Sequence, residues 1–327
     1  MNILFSTVGR RGYLVKFFRE VLGPDDKIFG ADNSPYAPGL VYCDHRTRFP
    51  KVTAPEYVGV VLDYCVKHKI DIVIPLLDPE LEVLAAVKGQ FGDKGIMVVI
   101  SPPNTVEIAF DKYRTCEFGQ QNGIAVPQTV LSPDEATERI AQNSLAWPLV
   151  VKDRKGSASM NITYCDDSPQ LEAAFETCPN PMIQEVLDGD EYGYDLFGGL
   201  DFQPISVFCK KKLVMRAGET DKALSTDNSV LIEFGEKILK NLSIFGPCDV
   251  DVFLTKDGPK LLEINPRFGG GYPCSHLAGA DFCNKIIAMH NGEPLTPDIG
   301  SCPDGVCMLK QDEIIRPDWP LETGKNL

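Results

Sequence analysis

The chain has 327 residues, of which 43% are hydrophobic and 24% charged, with a formal net charge of −14. That length holds two or three units with substantial cores, and such acidity without a basic run excludes a nucleic-acid footprint. Eleven scattered cysteines, four histidines, no C-x-x-C and no H-E-x-x-H leave a zinc site little to build on. Reduced thiols packed as small hydrophobes in a cytoplasmic protein are expected instead. No run approaches ~18 apolar residues and the N-terminus reads as a strand, so neither a membrane span nor a signal peptide is expected.

Residues 2–8 read as an apolar strand, broken by Gly9-Arg-Arg-Gly12 and followed by helical spacing from Tyr13 to Leu22. A second strand, 27–31, ends at Asp32. A helix over 56–68, a strand over 70–75, a helix from Asp78 to about Lys88 and a strand over 95–100 complete an alternation. Strands alternating with helices predict a parallel, doubly wound sheet for residues 1 to 100. Gly9-Arg-Arg-Gly12 is not G-x-G-x-x-G, but two arginines at a helix N-terminus make an anion-friendly corner. Ligands of open α/β sheets sit beyond the carboxyl ends of the strands, where Arg10, Arg11, Asp32, Asp78 and Glu80 fall. These residues make either a substrate pocket or a solvated rim. Asp78 and Glu80 also suit the first turn of a helix.

Ser101-Pro-Pro-Asn104 reads as a linker, and residues 105–121, which carry Asp111 and Lys112, as one helix. Ser132-Pro-Asp-Glu135 is an N-cap sequence. Trp147 to Lys152 is a strand; the small-residue loop after it, with Gly156, Ser157 and Ser159, exposes N–H groups that suit phosphates or simply a hairpin tip. Walker A is absent. A strand over 181–187 carries Gln184, Glu185, Val186 and Leu187, and the turn Asp188-Gly-Asp-Glu191 leads into a strand over 192–198. That segment offers a purine two backbone hydrogen bonds and a ribose one carboxylate, or is an ordinary hairpin. Residues 204–216 continue the sheet, and 217–228 read as a polar loop containing Lys222. Lys212, Arg216 and Lys222 suit phosphates, a carboxylate substrate or a charged sheet edge. Residues 229–242 form an amphipathic helix.

The run from Asp249 to Arg267 reads as a hairpin turning at Asp257-Gly258. Glu263 and Asn265 leave one face of the outgoing strand. A three-residue loop, Lys256 to Gly258, places Asp251 opposite Glu263, whereas a two-residue loop places it opposite Ile264. Facing carboxylates repel, and a divalent cation between them relieves that; all-oxygen ligation suits Mg²⁺. The expected loop has three residues.

The order of these pieces (lysine helix, lysine strand with a small-residue loop, Gln-Glu-x-Leu hinge, acidic turn, Asp…Glu-x-Asn-Pro-Arg) resembles the ATP-grasp superfamily. Within it the chain is most similar to the carbamoyl-phosphate-synthase-like branch, with the pyrrolysine-biosynthesis ligase and biotin carboxylase. The resemblance implies an α/β and α+β fold: a doubly wound parallel-sheet (pre-ATP-grasp) domain over 1–103, then a two-lobed ATP-grasp fold with a small lobe over 104–182 and a large lobe over 183–327. It implies that Lys112 and Lys152 contact ATP phosphates beneath the loop of Gly156, Ser157 and Ser159. Gln184, Glu185, Val186 and Leu187 would frame the adenine, and Glu191 the ribose. Asp251, Glu263 and Asn265 would hold Mg²⁺ (or Mn²⁺), and Arg267, with Lys152, would steady the transferred phosphoryl group. Arg10, Arg11, Asp78, Glu80, Arg216, Lys222 and Gly270 are the expected substrate residues. The implied function is an ADP-forming carboxylate–amine ligase working through an acyl phosphate, on small-molecule substrates, in a protein whose relatives are often homodimers. The alternatives are phosphorylation of carboxyphosphate or carbamate, and nucleotide binding without turnover. Residues 292–327 carry no chemistry of their own in this reading.

Overall fold

The protein is described by a computed structural model over residues 1–155 and 162–319. Asn2–Phe5 (β1), Gly12–Val21 (α1), Lys27–Asp32 (β2), His45–Arg48 (β3), Tyr57–His68 (α2), Ile72–Ile74 (β4), Asp78–Gly92 (α3) and Met97–Val98 (β5) form the first unit. Its strands are parallel in the order β3-β2-β1-β4-β5. The central strands are continuous apolar runs because helices cover both faces; Ile3, Leu4 and Phe5 are fully buried. The sequence pattern does not mark β3, His45-Arg-Thr-Arg48, because an edge strand needs no apolar alternation and charge there discourages further pairing.

The helix expected over 105–121 is two, Pro103–Phe110 (α4) and Lys112–Gln121 (α5). Asp111 interrupts it with extended backbone, its carboxylate accepting from the Tyr113 N–H at 2.9 Å as an N-cap. Thr129–Val130 (β6), Pro133–Ala141 (α6), Leu149–Asp153 (β7), Thr163–Cys165 (β8), Ser168–Thr177 (α7) and Pro181–Glu185 (β9) follow, with an antiparallel sheet ordered β6-β9-β7-β8. Ser132 caps α6 as its sequence predicts, accepting from the Glu135 N–H.

Asp190–Gly198 (β10), Pro204–Arg216 (β11), Glu219–Thr226 (β12), Ser229–Asn241 (α8), Gly246–Thr255 (β13), Gly258–Asn265 (β14), Tyr272–Leu277 (α9), Phe282–Asn291 (α10) and Cys307–Leu309 (β15) complete the chain. Their sheet runs β14-β13-β10-β11-β12-β15. The polar loop expected over 217–228 is therefore mostly strand β12. Its polar side chains misled the reading, because Thr220, Asp221 and Ser225 are buried between β11 and β15.

One core joins the first and last sheets. Phe5 and Phe18 share it with Phe197, Phe208, Phe268 and Phe282, and Phe18 meets Phe268 edge-on at 6.2 Å. The parallel sheet thereby presents the carboxyl ends of its strands to the face of the six-stranded sheet that carries charge. Residues 310–319 run back onto the first unit. Arg216 binds Asp312, Lys16 binds Glu313 and Arg46 binds Asp318, with Arg46 lying 4.1 Å over the Trp319 ring. Among the described residues no helix is long and apolar enough to cross a membrane.

Candidate active site

The hairpin reaches the expected pairing by a different route. Thr255 pairs with Gly258, so the turn is the two residues Lys256 and Asp257 rather than three. Leu262 is bulged between the pairs Val252–Leu261 and Asp251–Glu263, and this extra residue restores the parity that the short turn removes. Asp251 thus faces Glu263 and Asp249 faces Asn265. The same face extends over β10 and β11, adding Glu191, Asp195, Lys210 and Lys212.

Gly193, opposite both Asp251 and Lys210, opens a path across this face. A Cβ there would lie 3.2 Å from Lys212 Cε and 3.6 Å from Lys210 Cε. Lys212 crosses it to reach Glu191 at 2.7 Å and Asp251 at 2.6 Å. Lys210 reaches Asp195 at 2.5 Å, and Ser275 donates to the same carboxylate oxygen. Burial opposes the Lys212 charge, but Asp251 and Glu191 outweigh it and hold its pKa above the ordinary lysine value. Burial pushes the Asp251 and Asp249 carboxyls up, with Lys212 and Arg267 respectively opposing that.

Arg267 leaves β14 toward the first unit. Its Nε and Nη2 form a fork with Asp78 at 2.7 and 3.1 Å, and Nη1 lies 3.6 Å from Asp249. Two carboxylates outweigh burial and keep its pKa above the usual value. Arg11 donates from one nitrogen to the Leu76 and Phe268 carbonyls, tying the end of β4 to the turn after β14. Lys112 stands 3.3 Å from Glu263. Its N–H bonds to the Arg154 carbonyl, and Arg154 in turn grips Asp111 through two nitrogens. This junction sets α5 beside β7, where burial brings Lys152 down to about 8.

The structure brings Lys112, Lys152, Glu191, Asp251, Glu263, Asn265 and Arg267 toward one cleft. Gln184 is buried, donating to Thr129 Oγ1 at 2.9 Å. Glu185 accepts from the Gln128 N–H and from Lys260. Val186 and Leu187 lie just beyond β9, outside its ladder. Gly156, Ser157 and Ser159 lie outside the described residues. A cavity of about 510 Å³ is lined by Arg10, Arg11, Asp78, Glu191, Lys212, Glu219, Asp249, Asp251, Glu263, Arg267 and Gly270, among others. Three expected substrate residues sit elsewhere. Glu80 is fully buried and accepts from Thr7 and Tyr57, because a carboxyl facing the core must be hydrogen-bonded. Arg216 is held by Asp221 and Asp312. Lys222 is exposed on β12 beside Leu309. Asp249 and Glu219 were missed: Asp249 had a signal in its two-residue spacing from Asp251, but Glu219 had none.

Asp251, Glu263 and Asn265 fit Mg²⁺: two opposed carboxylates and a neutral oxygen, all hard donors, with no histidine or thiol among them. Among the described residues no group of three or more His, Cys, Asp or Glu side chains is arranged for a metal. A cation on this hairpin would therefore take its other ligands from phosphates and water.

A parallel-sheet unit followed by two antiparallel sheets, with lysines on one and an acid–amide–arginine hairpin on the other, is the ATP-grasp arrangement. Residues 3–99 match the family described as PylC-like, N-terminal domain, and residues 109–271 the ATP-grasp domain; the chain belongs to the ATP-grasp superfamily of ADP-forming ligases. It is 23% identical over 250 residues to a carbamoyl-phosphate synthase of Methanobrevibacter smithii, covering 72% of this chain and 67% of that one. The chain spans 42% to 67% of the length of three curated relatives it matches. Two solved structures share the fold: the biotin carboxylase domain of Hydrogenobacter thermophilus 2-oxoglutarate carboxylase (TM-score 0.73, 14% identity, 93% of this chain and 72% of that one), and the L-amino acid ligase of Bacillus licheniformis (TM-score 0.70, 18% identity, 93% and 77%).

Proposed function

We propose that the protein is a Mg²⁺- and ATP-dependent carboxylate–amine ligase that forms an acyl phosphate and releases ADP and phosphate. The observation that carries this reading is the row Asp251–Glu263 beside Asn265, with Lys112 on Glu263 and Arg267 anchored at the end of the same strand. A carboxylate is a poor electrophile, and phosphorylation gives it a leaving group. Mg²⁺ would supply charge to the β- and γ-phosphate oxygens of ATP. Lys112 and Lys152 would bind the phosphates and hold them in line with the carboxylate. Arg267, locked by Asp78, would present fixed positive charge where negative charge develops. The segment Gln184 to Leu187 would take the adenine and Glu191 the ribose. The test is ADP release that requires both a carboxylate and an amine and is lost in Glu263→Ala. A folded protein that does not bind Mg·ATP would sink the reading.

The second reading is carboxyphosphate or carbamate phosphorylation, which the similarity to the M. smithii carbamoyl-phosphate synthase favours. The H. thermophilus domain was itself crystallised with MgADP and bicarbonate. ATP hydrolysis stimulated by bicarbonate alone would select it.

A further inference from the structure

Among the described residues four cations line the catalytic cavity, and three of them have a carboxylate at ion-pair distance. Arg267 holds Asp78, Lys212 holds Glu191 and Asp251, and the exposed Arg10 lies 3.8 Å from Glu219. Arg11 is the exception. Its hydrogen bonds to the Leu76 and Phe268 carbonyls, at 3.0 and 2.9 Å, both leave Nη1. Nε and Nη2 have no partner among the described residues, although the residue is partly buried. These two nitrogens share one edge of the guanidinium, the edge by which Arg267 grips Asp78. The nearby acids are engaged elsewhere: Asp78 by Arg267, and Glu219 by Lys310 at 3.5 Å. Burial and Arg267 hold the Arg11 pKa below the ordinary arginine value, and those acids do not offset them.

Arg11 also stands where the catalytic cavity meets another. A second cavity of about 430 Å³, at the carboxyl end of the parallel sheet, shares Arg10, Arg11 and Glu219 with it. Val8, Phe49, Tyr57 and Leu77 give this cavity apolar walls, and its size is that of a small-molecule site. Its other acid, Asp32, accepts from the Gly9 and Ser34 N–H groups. Asp251 and Glu263 line the catalytic cavity and not this one.

We infer that Arg11 anchors a substrate carboxylate that is not the one phosphorylated, and that the apolar body of this substrate fills the second cavity. The inference rests on the ligase reading above and narrows it to substrates that carry an unreacted carboxylate. Nε and Nη2 take that carboxylate as a fork. The carboxylate to be phosphorylated belongs at the row of Asp251 and Glu263, so an anion on Arg11 positions and selects rather than reacts. An α-amino acid acceptor has this chemistry: carboxylate on Arg11, side chain in the second cavity, amine left facing the catalytic one. A dicarboxylic acid, phosphorylated at its other end, shares it.

The common amino acids, monocarboxylic acids and dicarboxylic acids are offered in pairs with Mg·ATP, with hydroxylamine as acceptor where an acid is tested alone. ADP release marks the substrates. Each is then compared with its counterpart lacking the unreacted carboxylate: the decarboxylated amine for an amino-acid acceptor, the monocarboxylic acid for a dicarboxylic one. In wild type, removing that carboxylate is expected to lower kcat/KM by about 10²-fold, chiefly through KM, and the arm that responds names the source. Arg11→Gln should lower the parent substrate by a similar factor and leave the counterpart nearly unchanged. Arg11→Lys, which keeps the charge without the fork, should show a smaller loss confined to the parent, and serves if Arg11→Gln does not fold. Wild type using both forms equally well overturns the inference, as does an equal loss of both forms in a folded Arg11 variant. Lengthening an apolar side chain on the responding substrate should raise kcat/KM by about fourfold per buried carbon; no gain overturns the placement of the body. A wild type that releases no ADP with any pair refutes the ligase reading itself, and this inference falls with it.

Discussion

Lys152 and Arg267 are both buried cations, yet they are held in opposite ways. Among the described residues Lys152 has no carboxylate at ion-pair distance, and burial lowers its pKa to about 8. Its folded value lies below the ordinary one, so between pH 8 and about 10 the unfolded chain binds more protons there and folding stabilises as pH rises. ATP phosphates bound beside it, as proposed, would raise that value again. Binding of Mg·ATP in this window should therefore take up a proton, and affinity should weaken as pH rises through it. Calorimetry in buffers of different ionisation enthalpy reads the uptake directly, and Lys152→Met should abolish it. Arg267 instead neutralises two partly buried carboxylates. Replacing it by Ala leaves Asp78 and Asp249 unpaired and should lower the unfolding free energy by about 3 kcal/mol. Adding Asp78→Asn should recover part of that loss, as read by urea denaturation.

At the scale of elements, the site depends on two interruptions of regular structure. The bulge at Leu262 turns Glu263 onto the face of Asp251, and Asp111 splits one helix into α4 and α5. The second interruption carries the greater structural load, since the Asp111 carboxylate both caps α5 and holds Arg154 through two nitrogens. Asp111→Ala should cost about 1–2 kcal/mol from the cap alone. It should also weaken Mg·ATP binding, because the start of α5 carries Lys112. Denaturation and nucleotide titration of the same variant check the two effects together.

In the whole molecule, a shared aromatic core and the returning segment 310–319 both help to join the first and last sheets. The core joint is apolar and insensitive to salt. The segment works through exposed pairs, Arg216–Asp312, Lys16–Glu313 and Arg46–Asp318, each contributing little and screened by salt. Removing residues 311–327 should lower the thermal midpoint slightly in low salt. That difference should shrink in 1 M NaCl, leaving the part due to Trp319 on Arg46. Thermal melts of full-length and shortened chains at both salt concentrations test this.

The sequence by itself determined the parallel sheet and the hairpin that carries Asp251, Glu263, Asn265 and Arg267, because these rest on local periodicity and on spacing within one hairpin. It also led to the right pairing of Asp251 with Glu263 from a wrong loop length, since a three-residue turn and a two-residue turn with a bulge have the same parity. Tertiary structure alone decided the placement and partners of Asp78, Asp249, Glu80, Lys212 and Glu219. Asp78 looked like a helix-end acid or a substrate ligand until β14 brought Arg267 across to it. Glu80 looked equally available until Thr7 and Tyr57 closed over it. Lys212 reaches Asp251 only because Gly193 leaves space between the strands. Glu219 stands where two cavities meet, beside Arg10 and Arg11, which precede it by more than two hundred residues in the chain. Such meetings are set by how sheets pack, and no local pattern of residues records them.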